Sequence, residues 1–343
     1  MLMLALLLTG CGGPQAAQTD SSTEVNPDSD TPVNMIMAGA SPEGYFRLIG
    51  ESINSIVREE YTGSSIAYQP GSPAGSLALV AKGQAELAVA ITPVEEIAAI
   101  EDEGPYEEVE EPLDGKFVSV MRLHEAQRMH SVMQRSFAEE YGIESFEDIT
   151  EKQPPLRISI NQQGNYQNIR IAEAIFESYG FTFDDIEEWG GEIFYQSSGG
   201  GIELLRDRSI DMYFNGTFIP DSSLADAERS LDLVWVGMDE DKLKEIADEF
   251  GLLTGTVQPG EYEFIEEQQP TIVWPSDMIT NPDVPATEVY KVVKTVYENL
   301  GEMQAIHPEM KNFSGELMVK AREQVPLHPG AEQYYREQGL LDD

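Results

Sequence analysis

The chain has 343 residues, with 62 acidic against 21 basic side chains and a formal net charge of −41. Its charged fraction of 24% is ordinary, so the acidity comes from missing Lys and Arg and not from an added acidic tract. That balance excludes nucleic acid, whose binding needs clustered cations, and disfavours adsorption to anionic lipid.

A hydrophobic fraction of 41% is enough to bury a core, and the length suggests about two domains. A folded chain of this mass exposes about 14,000 Å², which spaces the net charges roughly 18 Å apart. The Debye length is about 8 Å in physiological salt and about 3 Å at 1 M. With only nine lysines, this composition suits a protein facing a saline, halophilic medium.

Leu2 to Leu8 is an apolar run followed by Thr9-Gly10-Cys11. It is too short to span a bilayer but has the length of a secretory h-region. Residues 1–10 are therefore expected to be a signal peptide. Leu8-Thr9-Gly10-Cys11 resembles the bacterial lipobox, although no Lys or Arg precedes the run. Cys11 is the single cysteine, so no intrachain disulfide forms and its position suggests a lipid anchor. Residues 11–32 are poor in apolar side chains and read as a flexible tether.

From Val33 onward, short β-rich runs alternate with helical periodicity. Strands are expected at Val33–Met37, Ser64–Tyr68, Leu87–Ile91 and Lys116–Leu123, with helices after Tyr45 and over Ala74–Lys82. A second series has strands at Leu156–Ile160, Ile193–Gln196, Asp211–Asn215 and Leu233–Val236. Its helices cover Ile169–Tyr179, Ile202–Asp207 and Asp239–Phe250. A strand at Thr271–Trp274, a long helix with Val289 to Met303 on one stripe, and a helix over Ala331–Gln338 complete the chain. Such alternation implies an α/β protein with parallel sheets, in two lobes with a returning chain.

In open α/β sheets, ligands sit beyond strand ends, where loops enter helix N-termini. Four junctions fit: Gly39–Tyr45 with Ser41, Gln69–Ala74 with Ser72, Asn161–Asn168, and Asn215-Gly216-Thr217. Ser197–Gly201 is a fifth candidate, read as a solvent loop. Arg47, Arg122 and Arg170 are the cations nearest these junctions by position. The four histidines, His124, His130, His307 and His328, show no zincin spacing, and no P-loop or nucleophile elbow appears. No metal, cofactor or enzymatic activity is expected.

Several segments together resemble the TAXI family (TRAP-associated extracytoplasmic immunogenic proteins), the solute-binding proteins of certain TRAP transporters. These are Ala38–Phe46, Gly83–Val89, Gly180–Ile186, Ile210–Phe214 and, most specifically, Pro326-Leu327-His328-Pro329-Gly330-Ala331-Glu332-Gln333-Tyr334-Tyr335. The resemblance implies a type II periplasmic-binding-protein-like fold, with two lobes that close about a hinge over an interlobe cleft. It also implies delivery of a small solute to TRAP membrane subunits. Residues 33–125 and 265–343 would form lobe I and residues 126–264 lobe II.

Tyr45 falls on the family's aromatic position and Ser72 on its Gly-Ser turn. Gly75 stands where the family commonly has Asn, and Ile91-Thr92-Pro93 replaces Gln-Ser-Asp. Gly164-Asn165-Tyr166-Gln167-Asn168 takes the place of the Gly-Ser-Gly-Thr loop. The expected solute site is thus Ser41, Tyr45, Ser72, Thr92, Asn165, Tyr166, Asn168, Asn215 and Thr217, reading a carboxylate-bearing solute. A monomer, tethered outside the cytoplasm through Cys11, is expected. The alternatives are a sensory lipoprotein of the same fold and a hydrolase working in the cleft.

Overall fold

The computed structural model describes residues 25–27, 29–40, 45–320 and 324–342. The expected leader, Cys11 with its lipobox, and Ser41 lie outside the described residues.

Strand β1 (Asn34–Ala38) leads to helix α1 (Tyr45–Glu60), β2 (Ser65–Gln69), α2 (Pro73–Ala81), β3 (Leu87–Ile91) and α3 (Pro93–Glu101). Helix α1 forms because Ile49, Ile53, Ile56 and Val57 recur on one buried face. Helix α2 starts where Ser72 accepts the Gly75 N–H and Pro73 supplies a preset φ. Then come β4 (Val118–Gln134), β5 (Arg157–Ile160), β6 (Glu192–Tyr195), β7 (Met212–Thr217), β8 (Leu233–Trp235), β9 (Leu253–Val257) and β10 (Gln269–Thr280).

The strands form one curled, mixed sheet in the order β2-β1-β3-β10-β4-β7-β5-β6, with β8 added to β4 and β9 to β10. β1 pairs in parallel with β2 and β3, and β5 with β6 and β7. Two parallel blocks therefore stand as the alternating pattern implies. Between them runs an antiparallel ribbon of β4 and β10, paired from Val118–Thr280 to Arg128–Val273. The ribbon was only half legible in sequence. The continuation of β4 past Leu123 carries Glu125, Gln127, Arg128, His130, Ser131 and Gln134, and this polarity hides its strand character.

Three apolar clusters fill the molecule. One joins Met129 and Val132 to helix Tyr166–Ser178, helix Glu240–Phe250 and Trp274. The other two join residues of β1 to β3 with Val120, Leu123, Met278 and the C-terminal helices. Ile265, Ile272 and Trp274, expected in lobe I, pack in the cluster that holds Met129 and helix Glu240–Phe250. Strand β10, which carries Ile272 and Trp274, packs on that helix.

Other local differences have simple causes. The tether expected up to residue 32 is pinned at its end. Lys291 Nζ, buried on helix Ala286–Glu298, donates to Thr31 O at 2.7 Å and to Ser29 Oγ at 3.4 Å. The long C-terminal helix divides at Asn299 into Ala286–Glu298 and Leu300–Gln304. The tail that carries the most specific resemblance is structural. His328 Nε2 donates to Val284 O and His328 Nδ1 accepts the Gly330 N–H, while Tyr335 Oη donates to Val120 O.

Candidate functional site

A cleft of about 520 Å³ opens between the two lobes. Besides α1, which begins there at Tyr45, three helices of nine or more residues enter it by side-chain-capped N-termini. These are α2, capped by Ser72; helix Tyr166–Ser178, capped by Asn165; and helix Ser198–Arg206, capped by Ser197. Each cap satisfies one N–H, at Gly75, Asn168 and Gly200 respectively. The positive dipole ends of all three meet in the cleft.

The structure brings Tyr45, Ser72, Asn165, Asn168 and Thr217 to this cleft. Three other expected residues lie elsewhere. Thr92 is buried as the N-cap of α3, where its backbone N–H and hydroxyl both turn to the Glu95 carboxylate. Asn215 lies fully buried beneath the floor, accepting the Asn161 side-chain amide at 2.9 Å. Tyr166 faces a separate groove, its ring laid over Gly104 of the first lobe. Its side chain thus lines that groove and not the cleft.

Sequence reasoning missed the side chains that strands and hinge contribute. Gln127 of β4 lines the cleft, and its Oε1 accepts the Trp274 Nε1–H of β10 at 2.8 Å. Trp274 in turn covers Gly216, where a Cβ would fall 1.8 Å from the indole. Asn168 Oδ1 accepts the Gly216 N–H at 2.7 Å, tying the second lobe's helix to β7. Ser197–Gly201, expected as a solvent loop, instead caps and opens helix Ser198–Arg206. The signal was the Ser cap; the three glycines obscured it.

One end of the cleft is aromatic. Tyr45 of the first lobe meets Phe218 of the second, their centroids 4.6 Å apart, and Phe46 packs against Tyr45. His307 packs against both Tyr45 and Phe218 at 5.3 and 5.1 Å. His124 of β4 sits behind them with no hydrogen-bond partner on either ring nitrogen among the described residues. Burial, helped by Arg122 and His307, pushes its pKa down to about 3, so it is neutral. Burial likewise raises the Tyr45 phenol far above its ordinary value.

In the second lobe's core, Tyr262 accepts the Asp221 N–H at 2.6 Å and faces His130 Nε2 at 2.8 Å. His130 Nδ1 lies 3.2 Å from the carbonyls of Arg128 and Asn215, which requires Nδ1–H and leaves Nε2 to accept the phenol proton. Burial again dominates, pushing the His130 pKa down to about 4.

The three arginines proposed from sequence as nearby cations are all engaged elsewhere. Arg47 pairs with Glu51 on the surface of α1, and Arg122 is held by Asp277 and Glu125. Arg170 lies near Glu173 and Glu177 and over the Phe250 ring. None of them lines the cleft, and no charged side chain does among the described residues. Nor do the described residues contain a group of His, Cys, Asp or Glu able to hold a metal. No helix among them is long and apolar enough to cross a membrane.

The sequence model of one family covers this whole two-lobed unit, matching residues 37–339. The chain belongs to the NMT1-like family. Among solved structures, this NMT1-like chain resembles PhnD1 from Prochlorococcus marinus in complex with methylphosphonate. That match has a TM-score of 0.50 at 10% identity, covering 91% of this chain and 100% of that one. It also aligns with the periplasmic aliphatic sulphonate binding protein SsuA from Escherichia coli, at TM-score 0.43 and 11% identity over 90% and 84% of the two chains. A binding protein component of an ABC phosphonate transporter from Pseudomonas aeruginosa aligns at TM-score 0.47 and 7% identity, over 82% and 80%. The fold of the NMT1-like chain is that of periplasmic solute-binding proteins.

Proposed function

We propose that this chain captures a small solute in the interlobe cleft and delivers it to a membrane transporter. The observation that carries this reading is the meeting of three capped helix N-termini, one from the first lobe and two from the second, on a single uncharged cleft. A solute touching both lobes stabilises the closed arrangement and biases a hinge equilibrium. The crossings we propose lie near Glu125 in β4 and near Trp274 to Ser276 in β10, where the paired register shifts. The site we propose is Tyr45, Ser72, Asn165, Asn168 and Thr217, with Gln127, Gln167 and Phe218 added. A carboxylate-bearing solute suits the neutral donors there.

Finer parts of the reading rest on sequence. The Pro326–Tyr335 tail and the Ala38–Phe46 segment support a TAXI-type protein serving TRAP membrane subunits. Leu8-Thr9-Gly10-Cys11 supports an extracytoplasmic lipoprotein held to the membrane through Cys11.

The test is a thermal-shift and small-angle scattering screen against organic acids. A binder present at a hundredfold excess over its dissociation constant stabilises the protein by about 2.7 kcal/mol and shrinks its radius. A screen that yields neither effect with any solute rejects capture. A gene for a transporter ATPase beside this one, in place of a fused permease, replaces TRAP with an ABC system and leaves capture intact. A neighbouring receptor gene favours the sensory role.

A further inference from the structure

The first turn of α3 carries a carboxyl group of its own. Thr92 and Glu95 form a capping box there, in which the Thr92 N–H and hydroxyl both donate to Glu95 Oε2. Glu95 is completely buried, and its Oε1 has no hydrogen-bond partner among the described residues. Burying an ionised oxygen without donors is costly, and a proton removes most of that cost. Burial accordingly raises the Glu95 pKa from 4.5 to about 7, while hydrogen bonds from Thr92 and the Gln167 N–H pull the other way.

Both lobes supply that burial. On the first-lobe side stand Thr92, Glu96 and Tyr106, the last from the turn Gly104–Tyr106. On the second-lobe side stand Tyr166 and Gln167, in the first turn of helix Tyr166–Ser178, which packs on α3. Helix Glu240–Phe250 covers a further side, with Asp248 and Glu249 in the groove beside Val94 and Ile97. Strand β10 brings Asp277, which is paired with Arg122, and α2 brings no ionisable group. Arg170 is turned to the Phe250 ring, Glu173 and Glu177. Ala90, two residues before the Thr92 cap, lines the cleft, and so does Gln167. The segments that flank Glu95 are therefore also walls of the proposed solute site.

We propose that Glu95 couples the cleft to protons, being protonated when the lobes are closed and ionised when they are open, so that capture takes up one proton. This inference rests on the capture reading and adds its regulation. Opening carries the first turn of helix Tyr166–Ser178 away from α3 and lets water reach the carboxyl group. Below pH 4.5 Glu95 holds its proton in both states, and above pH 7 it is ionised in both. Between those values only the closed state keeps the proton, so closure weakens by about tenfold for each unit of rising pH. Glu95 never touches the solute; it is a positioning residue that acts through the resting place of the second lobe's helix. His124, packed against Tyr45 and Phe218, opposes it below pH 6.5, because its buried ring stays neutral. The proton on Glu95 must therefore be read at Glu95 itself.

The test holds the lobes shut without any solute. Tyr45→Cys and Phe218→Cys, at rings that stand 4.6 Å apart across the lobes, are joined by a short thiol-reactive cross-linker. Cys11→Ser removes the single native thiol from the same chain. Carbon NMR titrates the Glu95 carboxyl group in the linked and unlinked chains, small-angle scattering gives the radius of each, and thermal melts verify folding. Glu95→Gln removes the titrating signal and so assigns it. Sequential assignment of the chain that keeps Glu95 serves if that variant fails to fold.

The linked chain should titrate near pH 7. The unlinked chain should have a larger radius and titrate at least about one pH unit lower, a coupling of at least about tenfold. Equal midpoints in chains of unequal radius overturn the proposal, as does a linked chain that titrates near 4.5. A radius that the link leaves unchanged overturns it too, since there is then no opening to couple. None of these results decides whether a solute binds. Capture falls only with a silent solute screen, and that outcome leaves both midpoints readable.

Discussion

The ring of Tyr166, at the start of the second lobe's first long helix, lies on Gly104 of the first lobe. A Cβ at Gly104 would stand 2.5 Å from ring carbon Cε2. Gly104 also holds φ at +54°, which disfavours any side chain. Together these make the pair a contact across the lobes on the side away from the solute. Gly104→Ala should cost about 1–3 kcal/mol of stability and hold the lobes apart. Urea denaturation and the scattering radius with bound solute measure the two effects. A variant identical to wild type in both would show that the contact does not hold the lobes.

Next to this contact, Glu95 of α3 is fully buried, with one carboxylate oxygen unpartnered. Desolvation pushes its pKa up from 4.5 to about 7, against the Thr92 hydrogen bonds that favour the ion. The folded state therefore holds a proton that the unfolded state releases between those values. The contribution of Glu95 to stability is intact below pH 4.5 and lost as pH rises toward 7. His124 and His130, with depressed values, act in the opposite sense, losing stability as pH falls below 6.5. In Glu95→Gln the acid-side gain disappears while the histidine loss remains. Between pH 5 and 6.5 its stability should fall more steeply on acidification than that of wild type, by about 1.4 kcal/mol per pH unit. Parallel profiles from denaturant titrations would assign the buried proton elsewhere.

Gly216 is a second close approach, with Trp274 occupying the space a side chain would need. Gly216→Ala should destabilise the protein by about 3 kcal/mol or more, since a strand backbone and a core indole cannot both retreat. Trp274→Phe is milder. It strands Gln127 Oε1 at a cost of about 1 kcal/mol, and frees that amide to rotate. Melting temperatures order the two variants. If Gly216→Ala proves the milder change, the indole has another place to go.

The net charge of −41 acts on kinetics more than on the fold. The cleft has no charged side chain among its described lining residues, so an arriving anion meets only the repulsion of the remainder of the surface. Raising salt from about 0.1 M to about 1 M shortens the Debye length from about 10 Å to about 3 Å. Stopped-flow capture of an anionic solute should accelerate several-fold over that range. A steep fall would mean that the solute is a cation.

How much of this was legible in sequence depended on which physical signal each segment carries. Helix α1, β1 and β2 declare themselves by period, because each buries one face, whereas β3 is a continuous apolar run buried on both. The polar half of β4 does not, since His130, Ser131 and Gln134 are buried by pairing and hydrogen bonding. Ser72, Asn165 and Thr217 were found because caps and strand-end loops have a composition of their own. Gln127 and Gln167 were not, because a glutamine in a strand or at a helix start looks alike whether it faces solvent or a cleft. Tyr166 was misplaced because spacing fixes its helix but not the lobe its ring leans on. How Gln127 and Asn168 are oriented depends on partners as distant in sequence as Trp274 and Gly216.

The β4–β10 ribbon gives the molecule a torsion bar where a pair of slack loops could have stood. Its register slips between Trp274 and Pro275, and twice more before Thr280, so the ladder is interrupted within the segment that links the lobes. Pro275 withholds an N–H there as well. Twist is thereby concentrated in a few residues while each lobe turns as a block. Gln127 and Trp274 clasp each other beside this segment, so any rotation of the bar re-aims a group that lines the cleft. In the capture reading proposed above, recognition and mechanical compliance would share the same few atoms, and the stiffness of this short stretch would set the rate at which cargo is let go.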